Sequence, residues 1–531
     1  MKNKKQKNFT GIIFLAALFF FISCSKEKTT GEKLKSQDKN EIKSAITDIW
    51  RLNKSDDLLG LTAFLSDPDL REDAAFALSL SGTDTLDNVI CSAMKGAKDK
   101  TGCLYYLLLR GREKGFDRAR LAETLKGLNI SGEQANPGEY FLFCAAGQDF
   151  KNAIRVFNAA PGIKNAKKEF IMTLGEKKYA PAYAFLDYIS THDVSLRPFA
   201  VWAKNMIKPV KKIKVDTEDL VITGNPYWQK YGDSPVIPTV PGTYKSVHTA
   251  NPDILVNNDI IYYYYRGGNG TDRICVASVA YDRFNGKNFI DYPYNPIIDI
   301  GKNEFENYGV LDPSAVYFNN KVFLYYSGLG KGTNSVGLAV SENFYDFKKY
   351  SQNPVITGRA PSAVVKDGVI YMIYVLPNDR GGFSIYLATS RDGYNFKKYS
   401  DTPVLTYSGT GGDWDSKTVT TPRLYEKDGV YYMMYAGDSR YMDYPPFFGI
   451  AFSYDMVHWM KGTQNPVFSR GRKGSWDDGG IWFAQVFDYN CKWYLWYEGW
   501  GGGQSHEKEY GPGGHSQIGM ATGEFDLAEM L

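Results

Sequence analysis

Five times in the second half of the chain a short run of aromatic and β-branched residues comes round again, about 50 to 60 residues apart, and this repeat restricts the fold more than any other feature. The runs are Ile261-Tyr262-Tyr263-Tyr264-Tyr265, Val322-Phe323-Leu324-Tyr325-Tyr326, Ile370-Tyr371-Met372-Ile373-Tyr374, Tyr431-Tyr432-Met433-Met434-Tyr435 and Trp493-Tyr494-Leu495-Trp496-Tyr497. Behind each comes a stretch of small residues with Ser or Thr: Val276-Ala277-Ser278, Leu338-Ala339-Val340-Ser341, Leu387-Ala388-Thr389-Ser390, Ile450-Ala451-Phe452-Ser453 and Gly519-Met520-Ala521-Thr522. Asn295-Pro296-Ile297, Asn353-Pro354-Val355, Thr402-Pro403-Val404 and Asn465-Pro466-Val467 close the first four copies. Aromatic and β-branched side chains suit a pleated, half-buried surface, and Pro, Gly and Asn punctuate the turns.

Copies of this length and strand content have the spacing of four-stranded propeller blades, so residues 215–531 are expected to form a five-bladed β-propeller. The fifth copy has no closing Asn-Pro-Val, while Ser234-Pro235-Val236-Ile237 stands unpaired before the first. That early strand is expected to complete the last blade and close the ring, which removes the open sheet edges.

With 531 residues, two or three domains are the default. Residues 40–208 place apolar side chains at helical spacing in Leu58-Leu59-Leu61-Phe64-Leu65, Ala74-Ala75-Phe76-Leu78, Leu104-Leu107-Leu108-Leu109, Ala153-Val156-Phe157 and Phe185-Leu186-Ile189. Asp67-Pro68, Ser81-Gly82, Asn136-Pro137-Gly138 and Ala160-Pro161-Gly162 break them. The expectation is an α-helical domain of stacked antiparallel pairs, solenoid-like but without a clean repeat period. The fold class is therefore multidomain, α followed by all-β.

At the start, Lys2, Lys4, Lys5 and Lys7 precede an apolar run from Gly11 to Ile22 and then Ser23-Cys24-Ser25. This is the pattern of a signal peptide over 1–24, too short in its apolar part for a membrane span. The Cys after a small residue resembles a bacterial lipobox, with Phe21 where Leu is usual. The resemblance implies lipidation of Cys24 and a place in the bacterial cell envelope, periplasmic or on the outer-membrane surface, with the membrane as partner; the polar Lys/Glu/Thr/Gly/Ser composition that follows reads as a flexible tether over 25–39. Cys91, Cys103, Cys144, Cys275 and Cys491 show neither a CxxC pair nor metal spacing, and are read as small buried residues. A net charge of +3 and the absence of a basic stripe argue against a nucleic-acid partner.

Leu311-Asp312-Pro313-Ser314 before an aromatic strand, the pattern from Asp428 to Tyr435, and Trp414-Asp415 and Trp476-Asp477 ahead of the last two copies make residues 215–531 similar to the five-bladed glycoside hydrolase families 32, 43, 117 and 130. The resemblance implies a carbohydrate substrate and a pair of channel carboxylates, one acid and one base or nucleophile, as glycosidic cleavage requires. It carries Asp253 (in Asn251-Pro252-Asp253) and Asp312 over as base candidates, their registers one residue apart. The acid's positions hold Arg359-Ala360-Pro361 and Thr421-Pro422-Arg423 instead, a departure that leaves Glu498, the Asp477-Asp478 pair or Asp415 to supply it. Glu498 ends an aromatic strand and opens a Gly-rich loop. Asp415 and Asp477 recur in one Trp-Asp setting, which suits a turn cap as well as a catalyst.

Arg359 and Arg423 offer planar donor forks for a carboxylate, a phosphate or vicinal hydroxyls, or pair structurally with a channel aspartate. Trp482, Trp496 and Trp500 are candidate sugar-stacking platforms. His506, Glu507 and His515 lie in the last long loop, at a spacing that matches no standard zinc motif. Asp478 and His515 join the candidate substrate contacts. No cofactor and no metal site is assigned. Three activities remain open: hydrolysis of an oligosaccharide, glycan binding without cleavage, and phosphorolysis, the last requiring Arg359 and Arg423.

Overall fold

The structure, a computed structural model, describes residues 28–52, 58–80, 83–112, 118–126, 128, 130, 136–160, 164–232, 234–440, 445–501 and 515–531. Cys24, His506 and Glu507 lie outside them. The chain separates into two compact units, Met1–Tyr106 and Leu107–Leu531.

The first unit is helical. Thr29 caps a short helix, Thr30–Leu34, reciprocally with Glu32, inside the stretch read as a tether. Helices Lys39–Leu52, Arg71–Leu80 and Asp84–Gly96 and the 3-10 segment Leu59–Ser66 follow, burying Ile46, Ile49, Leu61, Leu78 and Ile90. Trp50 packs edge-on against Phe76, 5.8 Å between ring centroids.

In the second unit, helices Pro137–Ala146, Lys164–Glu176, Tyr183–His192 and Arg197–Ile207 precede the strands. The latter helices are joined to the fourth sheet by polar bonds as well as apolar packing. Trp202 Nε1 donates to the Lys461 carbonyl (3.1 Å), Tyr454 donates to the buried Glu169 (2.5 Å), and Phe199 lies edge-on to Phe452. Glu169 is also paired with Arg112, so its buried charge is compensated.

Five antiparallel strand sets follow, each running first, second, third strand. The first strands are His248–Asn257, Gly309–Phe318, Arg359–Lys366, Thr418–Lys427 and Gly480–Tyr489. The second strands are Ile260–Gly268, Lys321–Leu329, Val369–Pro377, Val430–Asp438 and Lys492–Trp500; these are the aromatic runs. They are buried along nearly their whole length, which is why they read as continuous apolar stretches rather than alternating ones. A parallel pairing of Asp272 with Gly309 joins the first two sets into one sheet. The five first strands are neighbours in cyclic order, with Gly480–Tyr489 lying beside His248–Asn257.

The closing motifs work as pseudo-strands. Asn295 Oδ1 accepts from Val276 N–H and its Nδ2 donates to Val276 O (2.9 and 2.8 Å); Asn353 does the same with Leu338, and Asn465 with Ile450. In the last set, Gln229–Lys230 pairs with Gln517–Gly523 and Val236 N–H donates to Ile518 O (2.8 Å). Residues from before the first set thus supply the outer edge of the fifth.

The cysteines divide. Cys103, Cys144 and Cys275 are buried as expected, whereas Cys91 is half-buried and Cys491 is exposed at a hairpin tip, where its φ of 60° suits the turn and leaves the thiol outside the core.

Candidate active site at the bulged ends of the first strands

Each first strand carries a register irregularity near its start, between Ala250 and Asp253, Leu311 and Ser314, Arg359 and Ser362, Thr420 and Arg423, and Trp482 and Ala484. A residue with positive φ sits inside every one: Asn251 (50°), Asp312 (56°), Ala360 (51°), Thr421 (44°) and Phe483 (44°). Non-glycine residues adopt this backbone at a cost, and five equivalent instances mark a constraint imposed by the fold. The bulges settle the register that sequence left one residue apart. Asp312 is the counterpart of Asn251, and Asp253 is the counterpart of Ser314 and Ser362.

Asn251 connects two carboxyl-bearing residues. Its Nδ2 donates to Glu498 Oε2 (2.6 Å), its backbone N–H reaches the same oxygen (3.3 Å), and its Oδ1 accepts from Asp312 N–H (3.2 Å). Arg266 Nη2 donates to Glu498 Oε1 (3.0 Å) and to Ser516 Oγ (3.1 Å). Arg266 and Glu498 both follow the last tyrosine of an aromatic run, at matching positions of adjacent sets. Burial pushes the Glu498 carboxyl up to about 7, with Asp312 adding to the rise and Arg266 opposing it. Burial also raises Asp312, against the pull of Arg359 and a Ser327 hydrogen bond. Two carboxyls raised by burial, one of them raised further by the other's charge, are the elements of acid and base chemistry.

Sequence reasoning missed Arg266, Asn251 as a bridge, and the pair behind them. His248 Nε2 is hydrogen-bonded to Asp272, whose second oxygen lies 3.8 Å from Arg266. Burial works against the Asp272 charge, but Arg266 and His248 outweigh it and hold the group at about 2. Burial, and then the Arg266 charge, lower the proton affinity of His248 against the pull of Asp272; His515, which has a φ of 56° and adjoins Ser516, adds a smaller push in the same direction.

The structure revises several expected roles. Asp253 Oδ2 accepts from Ala315 N–H (2.8 Å) across to the next first strand, just as Ser314 and Ser362 accept from Ala363 and Leu424. It is a strand-to-strand clamp, its carboxyl raised to about 6 by burial. Arg423 directs its guanidinium at backbone carbonyls and not at an open cleft. Arg359 is half-buried, with its guanidinium 4.5 Å above the Phe383 ring and its charge acting on Asp312.

Asp415 accepts from Lys461 (2.5 Å) and Tyr435 (3.4 Å), and Asp477 from Lys230 (2.5 Å) and Tyr497 (2.9 Å). Glu306 repeats the arrangement with Lys349 and Tyr326, so Asp415 belongs to a recurring sheet latch and not to a substrate site. Asp478 accepts the Gly474 N–H (2.6 Å) within its turn. Trp496 is wholly buried and donates to Gly286 O (2.9 Å), a core role in place of a sugar platform. Trp482 and Trp500 pack on each other at 4.9 Å and are 7% and 2% exposed, so neither face is open as a platform. Among the described residues no group of His, Cys, Asp and Glu could hold a metal ion.

No family model matches the chain. The uncharacterized protein Rv1502 of Mycobacterium tuberculosis is 28% identical over 267 residues, covering 47% of this chain and 87% of that protein. Among solved structures, the β-1,2-mannobiose phosphorylase of Listeria innocua is 13% identical with a TM-score of 0.44, covering 57% of this chain and 99% of its own. A thermostable family-43 glycoside hydrolase is 18% identical with a TM-score of 0.42, covering 55% and 94%.

Proposed function

We propose that residues 215–531 are a five-bladed β-propeller that hydrolyses glycosidic bonds in an oligosaccharide or polysaccharide, carried behind a solenoid-like helical region and anchored in the cell envelope through lipid on Cys24. The observation that carries the reading is the Asp312–Asn251–Glu498 bridge, in which one amide holds the Glu498 carboxyl and the Asp312 backbone N–H, so that two residues whose carboxyls have raised proton affinity are tied together. In this reading Glu498, whose raised proton affinity keeps a large share of it protonated up to about pH 7, gives its proton to the leaving glycosidic oxygen as the bond to the anomeric carbon breaks. Asp312 takes a proton from the water whose oxygen forms the new bond to that carbon, so acid and base exchange roles and are restored by solvent. Asn251 and Arg266 orient Glu498, and Arg359 favours the ionised form of Asp312.

The engagement of Arg423 with backbone carbonyls favours hydrolysis over phosphorolysis, since a phosphate clamp would need its donors. One observation favours a non-catalytic glycan binder as the second reading: both Glu498 oxygens already have internal donors. The protein from Ser25 onward, incubated with a panel of plant, algal and host oligosaccharides with and without phosphate, separates the three. Phosphate-independent release of sugar supports hydrolysis, sugar phosphate supports phosphorolysis, and measurable binding without product supports the binder.

A further inference from the structure

Arg423 gives its donors to backbone carbonyls. Nε donates to Pro252 O (2.9 Å), Nη1 to Pro361 O (3.0 Å) and, more weakly, to Pro422 O (3.5 Å), and Nη2 to Pro313 O (3.1 Å). These four prolines are equivalent. Each directly follows the positive-φ residue of its first strand, Asn251, Asp312, Ala360 or Thr421. The fifth strand has Ala484 at that place and contributes the Phe483 ring instead, its centroid 4.3 Å from the guanidinium carbon. Arg423 is 1% exposed, and the acidic groups acting on it are Asp253, Asp312 and Glu498.

Four carbonyl oxygens converging on one point repel each other unless a cation stands between them. A guanidinium is flat, always charged and has five donors in a fixed fork, so it can bond several carbonyls at once; an ammonium has three donors on a tetrahedral centre. We propose that Arg423 is a positioning residue, a cation built into the hub of the first strands, which ties the four proline carbonyls together and thereby sets the bulges that hold Asn251 and Asp312. It touches no substrate in this scheme. It acts by fixing the peptide one step along from each bulge residue, and its catalytic consequence rests on the hydrolase reading above.

The test uses Arg423→Lys and Arg423→Met in the full chain. If the hub sets the geometry of the reacting groups, Arg423→Met lowers kcat about 100-fold with KM within about threefold, because a misplacement of about 1 Å costs that much. Arg423→Lys, which keeps the charge but not the fork, recovers only part of the loss. Two readouts need no substrate. In the parent protein, ¹⁵N-arginine NMR is expected to show one slowly exchanging Nε–H that disappears in Arg423→Lys, and ¹³C-carboxyl titration is expected to move Asp312 upward in Arg423→Met more than in Arg423→Lys. Fast exchange of the Arg423 Nε–H in the folded parent, or a folded Arg423→Met with unchanged carboxyl titration and kcat, overturns the proposal. If the panel yields no product from any glycan, the hydrolase reading fails while the two spectroscopic readouts still decide the hub. If Arg423→Met does not fold, exchange in the parent and the Arg423→Lys titration decide it.

Discussion

Two groups of buried acids in the strand sets are accommodated differently. At the outer edges Glu306, Asp415 and Asp477 each meet a lysine and a tyrosine hydroxyl, so every buried charge has a counter-charge and a neutral donor in a repeated geometry. At the bulged ends Asp253, Asp312 and Glu498 have no lysine. They share amides, backbone N–H groups and arginines that serve more than one acid, and all three are shifted toward the protonated form by burial. The same residue type is a latch where its charge is matched one to one and a candidate for proton transfer where it is under-compensated.

The largest effect that would test this contrast is on turnover. Asp312→Asn is expected to lower kcat by about 10²- to 10⁴-fold, with a melting temperature close to that of the parent, measured by product release and calorimetry. An unchanged kcat would remove Asp312 from the proton-transfer pair and leave the bulged ends a purely structural region.

The next effect is on pH dependence. Glu498 holds its proton more tightly folded than unfolded, so between its ordinary value and about 7 the folded state binds more protons and stability falls as pH rises. The contribution amounts to about 3 kcal/mol lost between pH 4.5 and 7, and Glu498→Gln should make that slope shallower in denaturant titrations at several pH values, leaving the part due to Asp253 and Asp312. If hydrolysis uses the protonated form, parent activity also falls above about pH 7. A slope as steep in Glu498→Gln as in the parent would place the titrating group elsewhere.

Smallest is the latch. Asp415→Asn leaves Lys461 and Tyr435 without their acceptor charge, and because Lys461 is partly exposed the expected loss is about 1–3 kcal/mol of stability, with kcat unaltered. A fall in kcat without loss of stability would erase the distinction between the regions.

The repeat made the strand sets legible, because second strands buried on both faces must be written almost wholly in aromatic and aliphatic residues. The latch was half-visible, since Trp-Asp occurred twice, and two copies of a motif point to a shared structural need. The bulges were not visible. Asn251-Pro252-Asp253 and Asp312-Pro313-Ser314 look alike with either acid aligned, and only the hydrogen-bond register shows that Asp253 clamps a neighbouring strand. Arg266 had a usable signal, standing one place after its tyrosine run just as Glu498 does, but the partnership is between the first and last sets and so spans 232 positions of sequence. Arg423 gave the least away, because its partners are carbonyls, which every residue possesses.

The pairing of Gln229–Lys230 and Val236 with Gln517–Gly523 has a kinetic consequence. The fifth set draws on both ends of a stretch of nearly three hundred residues, so a growing chain can assemble the first four sets in order of synthesis but must wait for its final strand before the last. Until then the outer edge of Lys492–Trp500 and the early segment around Gln229 both lack the strand that lies between them, and a chain stopped short of Gln517 would carry an unmated strand in search of a second molecule.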